Sequence, residues 1–416
     1  MLRLLTTTLL ALILLSLSSC QQKSKTEVTP WGATVTTDAD GNVSYDEETD
    51  TAQSDKDGFS LKDIVQGGEM IMLTLSGPET YYDYHGRGMG VHYLLCEKLA
   101  DHLGVTLRVD VCRDTLDMLQ RLRNGEGDII AFPVSKQHQK GFTVCGDSWI
   151  VNSRNAELAK AVRKWHKPNM LAEMKKQEEY ILSVASVTRR INPLMLSAKA
   201  GKISQYDILF RRYAAVAGMD WVLMAAQCYQ ESCFDPKAHS WAGACGLMQI
   251  IPSTADHLSL PRNMMYEPEP NIAAAARYMK ELQGLFSDVK DPMERIKFAL
   301  ASYNGGHFHI RDAMALTAAH GGNPKRWNDV RRYVLALSQP EFYRAPQVKN
   351  GYMRGSETAN YVDMIIQRWQ QYRVALSTGT PIVSSVPKKA SSSAPSAPSI
   401  TAQPHHAAKA NKWRKD

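Results

Sequence analysis

The segment DWVLMAAQCYQES, residues 220–232, decides how this chain folds. Asp220 has the short acidic side chain of a helix N-cap, and the residues after it are apolar on nearly every face of a helix. A helix of that kind is buried, so the segment predicts a mostly helical domain built around it. Glu231 lies at the C-terminal end of this helix. Burial and the negative end of the helix dipole both disfavour a carboxylate there, so we expect a raised pKa and a protonated side chain near neutral pH.

Several further runs of sequence surround this helix in a fixed order. They are residues 231–238, Ser240, residues 243–250, residues 252–255, Asn271-Ile272, Tyr278, residues 301–306 and residues 357–362. In these runs the chain resembles the lytic transglycosylases of the soluble-type, lysozyme-like family. The family's alanine-tyrosine-asparagine run has one extra residue here, Ser302, which leaves Tyr303 and Asn304 intact. The resemblance implies a lysozyme-like catalytic domain over residues 171–375.

The resemblance also implies a reaction and a set of site residues. Glu231 would protonate the β-1,4 linkage between N-acetylmuramic acid and N-acetylglucosamine, then act as a base while the muramic C6 hydroxyl closes a 1,6-anhydro ring. A buried, protonated carboxyl suits that task. No cofactor is needed. The residues that would hold Glu231 or the substrate are Ser232, Gln249, Tyr303 and Asn304, with Tyr361 orienting the acid.

Other polar residues near Glu231 have plainer interpretations. Asp235 and Asp256 are the nearby carboxylates, and we interpret them as turn and cap residues and not as a second catalytic group. His307 and His309 follow residues 301–306, where we predict a loop and solvated imidazoles. The cysteines show neither CxxC spacing nor histidines at zinc-site intervals, so we predict no metal site.

Two other functions remain open at this stage. A hydrolytic muramidase of the goose-lysozyme kind shares the fold and the acid, and differs by adding water at C1. A non-catalytic peptidoglycan sensor keeps the cleft and loses the acid. The presence of Glu231 together with Gln249, Tyr303 and Tyr361 favours an enzyme.

A chain of 416 residues exceeds the usual size of one hydrophobic core, and a second folded unit precedes the helical one. Over residues 59–170 we predict an α/β domain, which makes the protein α+β overall. The predicted strands are residues 70–75, 106–111 and 128–132, and the predicted helices are residues 90–103, 115–124 and 156–165.

This front domain resembles the first lobe of extracellular solute-binding proteins that capture amino acids, in residues 90–95, 100–105 and 124–131. The pairing with a transglycosylase domain resembles the membrane-bound lytic transglycosylase F family. The inserted second lobe of the solute-binding proteins is missing, because residues 142–143 lead within a few residues to Trp149. Residues 136–140 also lack the arginine that clamps a carboxylate in those proteins, and a lysine is a poor bidentate substitute. We therefore expect the domain to pack on the catalytic domain or a partner and not to hold free amino acids.

The two ends of the chain predict an exported, membrane-anchored protein. Residues 1–20 combine Arg3, an apolar run shorter than the roughly 20 residues of a membrane span, and Leu-Ser-Ser-Cys, which resembles the lipobox and makes Cys20 the lipidation site. Residues 21–58 carry nine acidic residues against three lysines and predict a disordered linker. Residues 376–416 are rich in Ser, Ala and Pro, carry six basic residues against one acidic one, and predict a disordered tail.

These features together set the expected location and partners. We expect a cell-envelope lipoprotein on the periplasmic face of the outer membrane, acting on peptidoglycan strands, with proteins of cell-wall synthesis or hydrolysis as candidate partners. The net charge of +7 is modest and does not indicate nucleic-acid binding. Six cysteines besides Cys20, three in each domain, leave both disulfides and free buried thiols open.

Overall fold

The structure, a computed structural model, describes residues 60–382 and, before them, only the backbone of three short strands. These strands pair antiparallel in the order β1 (Lys25–Val28), β2 (Thr34–Thr37) and β3 (Val43–Tyr45). The expectation of an entirely unfolded linker over residues 21–58 does not hold for them, because β-branched Val and Thr are concentrated in these stretches and favour extended backbone. The predicted signal peptide with Cys20 and nearly all of the predicted C-terminal tail lie outside the described residues.

The front domain alternates helices and strands. Its elements are α1 (Leu61–Gly67), β4 (Glu69–Thr74), β5 (Tyr82–Tyr84), β6 (Arg87–Met89), α2 (Val91–Leu103), β7 (Thr106–Val111), α3 (Thr115–Asn124), β8 (Ile129–Ile130), β9 (Phe142–Cys145), β10 (Trp149–Asn152), α4 (Ala156–Trp165) and α5 (Met170–Ile181). The predicted bounds of β7, α3 and α4 are confirmed. The predicted strand over residues 128–132 is shorter, because only the central isoleucine pair joins the sheet.

Five of these strands form the central sheet, in the order β7-β4-β8-β10-β9. β4 runs parallel to β7 and β8, whereas β10 is antiparallel to β8 and β9. Alternate residues of β10 point to opposite faces, as the period of a strand requires. Trp149 and Val151 join the core under α2, α4 and α5, and Ile150 joins the core under α3. Both faces of the sheet are therefore covered.

The boundary between the two domains lies later in the chain than we predicted, because helix α5 belongs to the front domain. We predicted that the catalytic domain begins at residue 171, yet Met174 and Ile181 are buried in the front core. Helical periodicity alone does not reveal which neighbour a helix packs against. The front domain therefore extends through α5, and the elements of the helical domain follow from Val187 onward.

The second domain is mostly helical. Its elements are β11 (Val187–Thr188), α6 (Asp207–Ala217), α7 (Trp221–Ser232), β12 (His239–Ser240), α8 (Pro252–His257), α9 (Pro268–Leu285), α10 (Pro292–Gly305), α11 (His307–Ala319), α12 (Trp327–Ala336), α13 (Pro340–Tyr343) and α14 (Gly355–Thr378). Helix α7 lies at the centre of its core, with Leu223, Met224 and Ala225 essentially inaccessible. The predicted buried helix is confirmed.

Two further findings concern the cysteines and the membrane. The sequence left both disulfides and free thiols possible. In the structure, all six cysteines within residues 60–382 are free thiols. Among the helices of the described residues, none is both long and apolar enough to cross a bilayer.

Candidate active site

Helix α7 carries Glu231 to the floor of a cleft. The Asp220 side chain caps the helix by accepting a hydrogen bond of 3.1 Å from the Val222 backbone N–H, as predicted. At the other end Cys233 adopts a left-handed conformation that stops the helix. The Arg189 guanidinium donates to the Glu231 carbonyl oxygen at 2.8 Å, which satisfies one of the backbone acceptors left free at a helix C-terminus.

Burial gives Glu231 the protonation state expected of an acid. Desolvation raises the pKa of its carboxyl group to about 7, against the opposing effects of the Tyr361 hydrogen bond and of the charges on His85 and Arg189. The predicted direction of the shift is confirmed. A group with this pKa is partly protonated at neutral pH and can both give and take a proton there.

Tyr361 on α14 fixes the direction in which the acid points. Its hydroxyl donates a hydrogen bond to Glu231 Oε1 and accepts one of 3.3 Å from Gln227 Nε2 on α7. Burial, followed by the charge of Glu231, raises the pKa of Tyr361 well above its ordinary value, so the phenol remains a donor. The structure thus brings together two residues that lie 130 positions apart.

A tight turn over residues 243–250 forms one wall of the cleft. Gly246 has a φ of +77°, and a Cβ there would lie 2.4 Å from the Met265 carbonyl oxygen, so only glycine fits. The Asn271 side chain accepts from the Met248 N–H at 2.8 Å, and the Tyr303 hydroxyl donates to the Met248 carbonyl at 2.7 Å. Tyr303 lines the cleft while it holds this turn.

Gln249, Asn304 and Ser232 differ in what they present to the cleft. Gln249 lines it, and its Nε2 donates to the carbonyls of Ala238 and Gly246 at 3.1 and 2.9 Å, leaving Oε1 as its acceptor. Asn304 also lines the cleft, with Oδ1 accepting from the Thr358 hydroxyl at 2.7 Å. Ser232 is fully buried and donates to the Cys228 carbonyl at 3.1 Å, so its predicted role does not involve direct contact with substrate.

The predicted turn interpretation of Asp235 agrees with its contacts, whereas the predicted cap role of Asp256 is wrong, because Asp256 lies inside α8, whose N-cap residue is Ile251. Asp235 accepts from the backbone N–H groups of Arg190 and Lys237 at 2.6 and 3.0 Å. Asp256 forms an exposed pair with Arg262, Oδ1 to Nε at 2.7 Å.

The predicted loop after residues 301–306 is wrong. Gly306 is the only residue between α10 and α11, and His307 and His309 lie on the first turn of α11. His309 is buried, and that burial lowers its pKa to about 4, so the imidazole is neutral and not solvated. Gly306, with a φ of +81°, is by itself sufficient to separate the two helices.

The cleft is large and is lined by both domains. Its volume is about 1890 Å³, with Glu231 on the floor and the front-domain segment Tyr81–Gly86 along one side. His85 and Glu357 are site residues for which sequence reasoning gave no role. Their side chains meet at 3.1 Å, Nε2 to Oε1, although they are 272 positions apart. No local pattern could have paired them, because the contact depends on how the two domains dock.

Residues 208–324 match the family model described as the transglycosylase SLT domain. Part of the helical domain is thus similar to the transglycosylase SLT domain. Membrane-bound lytic murein transglycosylase F of Serratia proteamaculans is 38% identical over 200 residues, which cover 48% of this chain and 39% of the relative. The protein of the same name from Desulfosudis oleivorans is 36% identical over 165 residues, which cover 40% of this chain and 36% of the relative. The matched stretch therefore spans about two fifths of the length of these relatives.

Two solved structures are each similar to a part of the chain. The 70 kDa soluble lytic transglycosylase of Escherichia coli is 26% identical, with a TM-score of 0.27, and the match covers 41% of this chain and 24% of that one. Domain 1 of the arginine-binding protein TmArgBP is 19% identical, with a TM-score of 0.23, and the match covers 28% of this chain and 98% of that one. The SLT match ends at residue 324, so Tyr361 is assigned to the site by its contact with Glu231.

Proposed function

We propose that this protein is a peptidoglycan lytic transglycosylase that acts in cell-wall turnover. It cleaves the β-1,4 bond between N-acetylmuramic acid and N-acetylglucosamine and leaves 1,6-anhydro-N-acetylmuramic ends. The observation that carries the proposal is Glu231, held at the buried end of α7 with a pKa raised to about 7 and with Tyr361 on Oε1, inside an SLT domain.

The reaction uses Glu231 twice and consumes no water. Its protonated carboxyl gives a proton to the glycosidic oxygen as the bond to C1 of the muramic residue breaks, and the acetamido group of that sugar stabilises the positive centre. The carboxylate then takes the proton of the C6 hydroxyl, and O6 bonds to C1. Because the proton returns to Glu231, the enzyme regenerates its acid form in each cycle. The Tyr361 hydrogen bond stabilises the carboxylate between the two steps.

Glu357 does not serve as a second catalytic carboxylate in this scheme. Burial raises its pKa, but the hydrogen bond and charge of His85, together with Arg354, outweigh burial and leave the pKa below its ordinary value. Its Oε1 accepts from Tyr84 at 3.2 Å and contacts His85 at 3.1 Å. An ionised carboxylate engaged in this way is suited to holding a neighbouring segment.

Mass spectrometry of muropeptides from digested sacculi tests the reaction. We expect products ending in 1,6-anhydro-N-acetylmuramic acid, lighter by one water than hydrolytic products. Reducing ends throughout would show a muramidase, and an absence of products with retained binding to sacculi would show a sensor. Digestion by the Glu231→Gln variant is the matched control, because it keeps the shape of the side chain and removes the acid.

We also propose that the protein is a lipoprotein, anchored through Cys20 after removal of residues 1–19 and facing peptidoglycan from the periplasmic side of the outer membrane. Support comes from the lipobox-like Leu-Ser-Ser-Cys sequence and from relatives named as membrane-bound. The change Cys20→Ala should move the protein from the membrane fraction to the soluble fraction. Persistent membrane association of that variant would show a different anchor. Proteins of cell-wall synthesis or hydrolysis are proposed partners at this location.

A further inference from the structure

The front domain places a hairpin against the catalytic cleft. Strands β5 and β6 pair with Tyr84 opposite Arg87, which leaves His85 and Gly86 as a two-residue turn. Their φ angles are +50° and +73°, as a type I′ turn requires, and Asp83 Oδ1 accepts from the Gly86 N–H at 3.1 Å. Such a turn has few alternative conformations, so the position of His85 at its tip is well defined.

One side of the hairpin is attached to α14. His85 Nε2 and the Tyr84 hydroxyl both contact Glu357 Oε1, at 3.1 and 3.2 Å. The Arg354 guanidinium lies 5.5 Å from the centre of the Tyr84 ring. These contacts tie the tip of the hairpin to the start of the helix that carries Tyr361.

The other side of the hairpin contacts the opposite part of the catalytic domain. A Cβ on Gly86 would lie 2.8 Å from Ile251 Cδ1, so the backbone of the turn packs directly on the residue before α8. The Arg87 guanidinium lies 4.7 Å from the centre of the Trp241 ring. The hairpin therefore contacts two segments of the cleft lining that are separated by more than one hundred residues in sequence.

A short series of contacts links His85 to the acid. Glu357 and Tyr361 are four residues apart on α14, so their side chains lie on the same face of the helix. Tyr361 donates to Glu231, and the charges of His85 and Glu231 also interact directly. A residue of the front domain thus contributes to the charge environment of Glu231, and its partner Glu357 lies one helical turn from the tyrosine that orients the acid.

We propose that His85 is a positioning residue of this active site, supplied by the front domain: its cationic ring pairs with Glu357, fixes the hairpin against the cleft and places a positive charge near the catalytic acid. The proposal rests on the proposed function. It assigns the front domain a part in catalysis that does not require a captured solute.

The sign of the electrostatic effect follows from the groups around each residue. Glu231 faces Tyr361, His85, Arg189 and Glu357, and the His85 cation favours its carboxylate form. His85 faces Glu357, Glu231 and Asp83, whose charges outweigh burial and raise its pKa. Removing the cation therefore raises the pKa of Glu231, and the loss of activity with rising pH moves to higher pH.

The test compares full-length variants on soluble, uncrosslinked peptidoglycan, with kcat and KM measured across the neutral pH range. The His85→Gln variant should show a lower kcat and an alkaline limb shifted upward by roughly half a unit. The His85→Lys variant restores a cation and should return the limb towards its wild-type position. His102→Gln, a substitution of another front-domain histidine, away from the cleft, should match wild type.

A second measurement needs no change at His85. Because coupling between two titrating groups is reciprocal, Glu231→Gln should lower the pKa of His85 followed by NMR in the full chain. An unmoved His85 pKa, or an unshifted alkaline limb in a folded His85→Gln variant, would overturn the proposal. So would a higher kcat for His85→Gln at every pH, since the hairpin would then obstruct the cleft. Retained cleavage by Glu231→Gln would instead refute the proposed function.

Discussion

Two features line the same cleft but present different chemistry to it. One is the C-terminal end of α7, and the other is the edge of the front sheet at which its parallel strands end. At the end of α7, burial holds a reactive carboxyl at a pKa of about 7. At the sheet edge, the Ser76 hydroxyl accepts from the Tyr352 N–H at 2.8 Å, and Gly351 packs against the same side chain. The edge of the sheet after β4 is thus in contact with a loop of the catalytic domain.

This difference indicates how the two domains share one function. In an open α/β sheet, the edge at the carboxyl ends of the strands is where ligands usually bind. Here a loop of the catalytic domain contacts that edge, and the ring of Tyr352 meets that of Tyr82 at 5.0 Å. We infer that the front domain acts as a wall of the catalytic cleft.

The largest expected effect concerns the catalytic acid at the end of α7. The change Glu231→Gln removes the proton donor and should lower the rate of peptidoglycan cleavage by about a thousandfold or more. Activity within tenfold of wild type, measured as muropeptide release from sacculi, would contradict the assignment.

The same variant should be more stable than wild type, because it removes a carboxyl group that is costly to bury. A pKa raised from 4.5 to about 7 means that the folded state binds the proton of this carboxyl group more tightly than the unfolded state does. Wild type therefore loses stability as pH rises through that window, by roughly 1–3 kcal/mol, whereas a neutral amide at this position does not titrate. The melting temperature of Glu231→Gln should exceed that of wild type, with a difference that grows with pH up to about 7 and then levels off.

A smaller effect is expected from Tyr361→Phe, which keeps the ring and removes the hydroxyl that orients Glu231. Losing a hydrogen bond to a charged group should lower kcat by roughly tenfold to a hundredfold. The pKa of Glu231 should also rise, because this bond lowers it, so the alkaline limb moves upward. Kinetics across pH check both expectations.

The control for that variant is Tyr372→Phe on the same helix. Its hydroxyl donates to the Leu194 carbonyl at 2.6 Å and does not reach the acid, so its loss should affect stability alone. Equal losses of kcat in the two variants would mean that Tyr361 has a structural role only.

Much of this architecture could be predicted from local patterns. Asp220 and the apolar run after it predicted the buried helix α7 and the raised pKa of Glu231 at its end, and the strand β7 and the helix α3 have the predicted bounds. These features depend on neighbours in sequence, where capping and periodicity act.

What could not be predicted depends on contacts between distant segments. Helix α5 belongs to the front core because of what it packs against, and the period of its sequence does not contain that information. His85 acquires its partner Glu357 only when the domains dock. A single glycine connects α10 to α11, so His309 lies in the first turn of α11, where it is buried. The sequence does not distinguish such a connection from a longer loop.

The smallest expected effect concerns the front domain: titration calorimetry of the full chain with free amino acids should show no binding. Capture of an amino acid requires enclosure from two sides, and here the side opposite the sheet edge is taken by the loop that contacts Ser76. The Glu231→Gln variant is the protein to use, because it can be titrated with glycan strands without consuming them. If glycan strands give a heat of binding and amino acids give none, the cleft that both domains line is the binding site, and the front domain has no separate site for amino acids. Micromolar binding of any amino acid would show that the sheet edge retains a ligand site of its own.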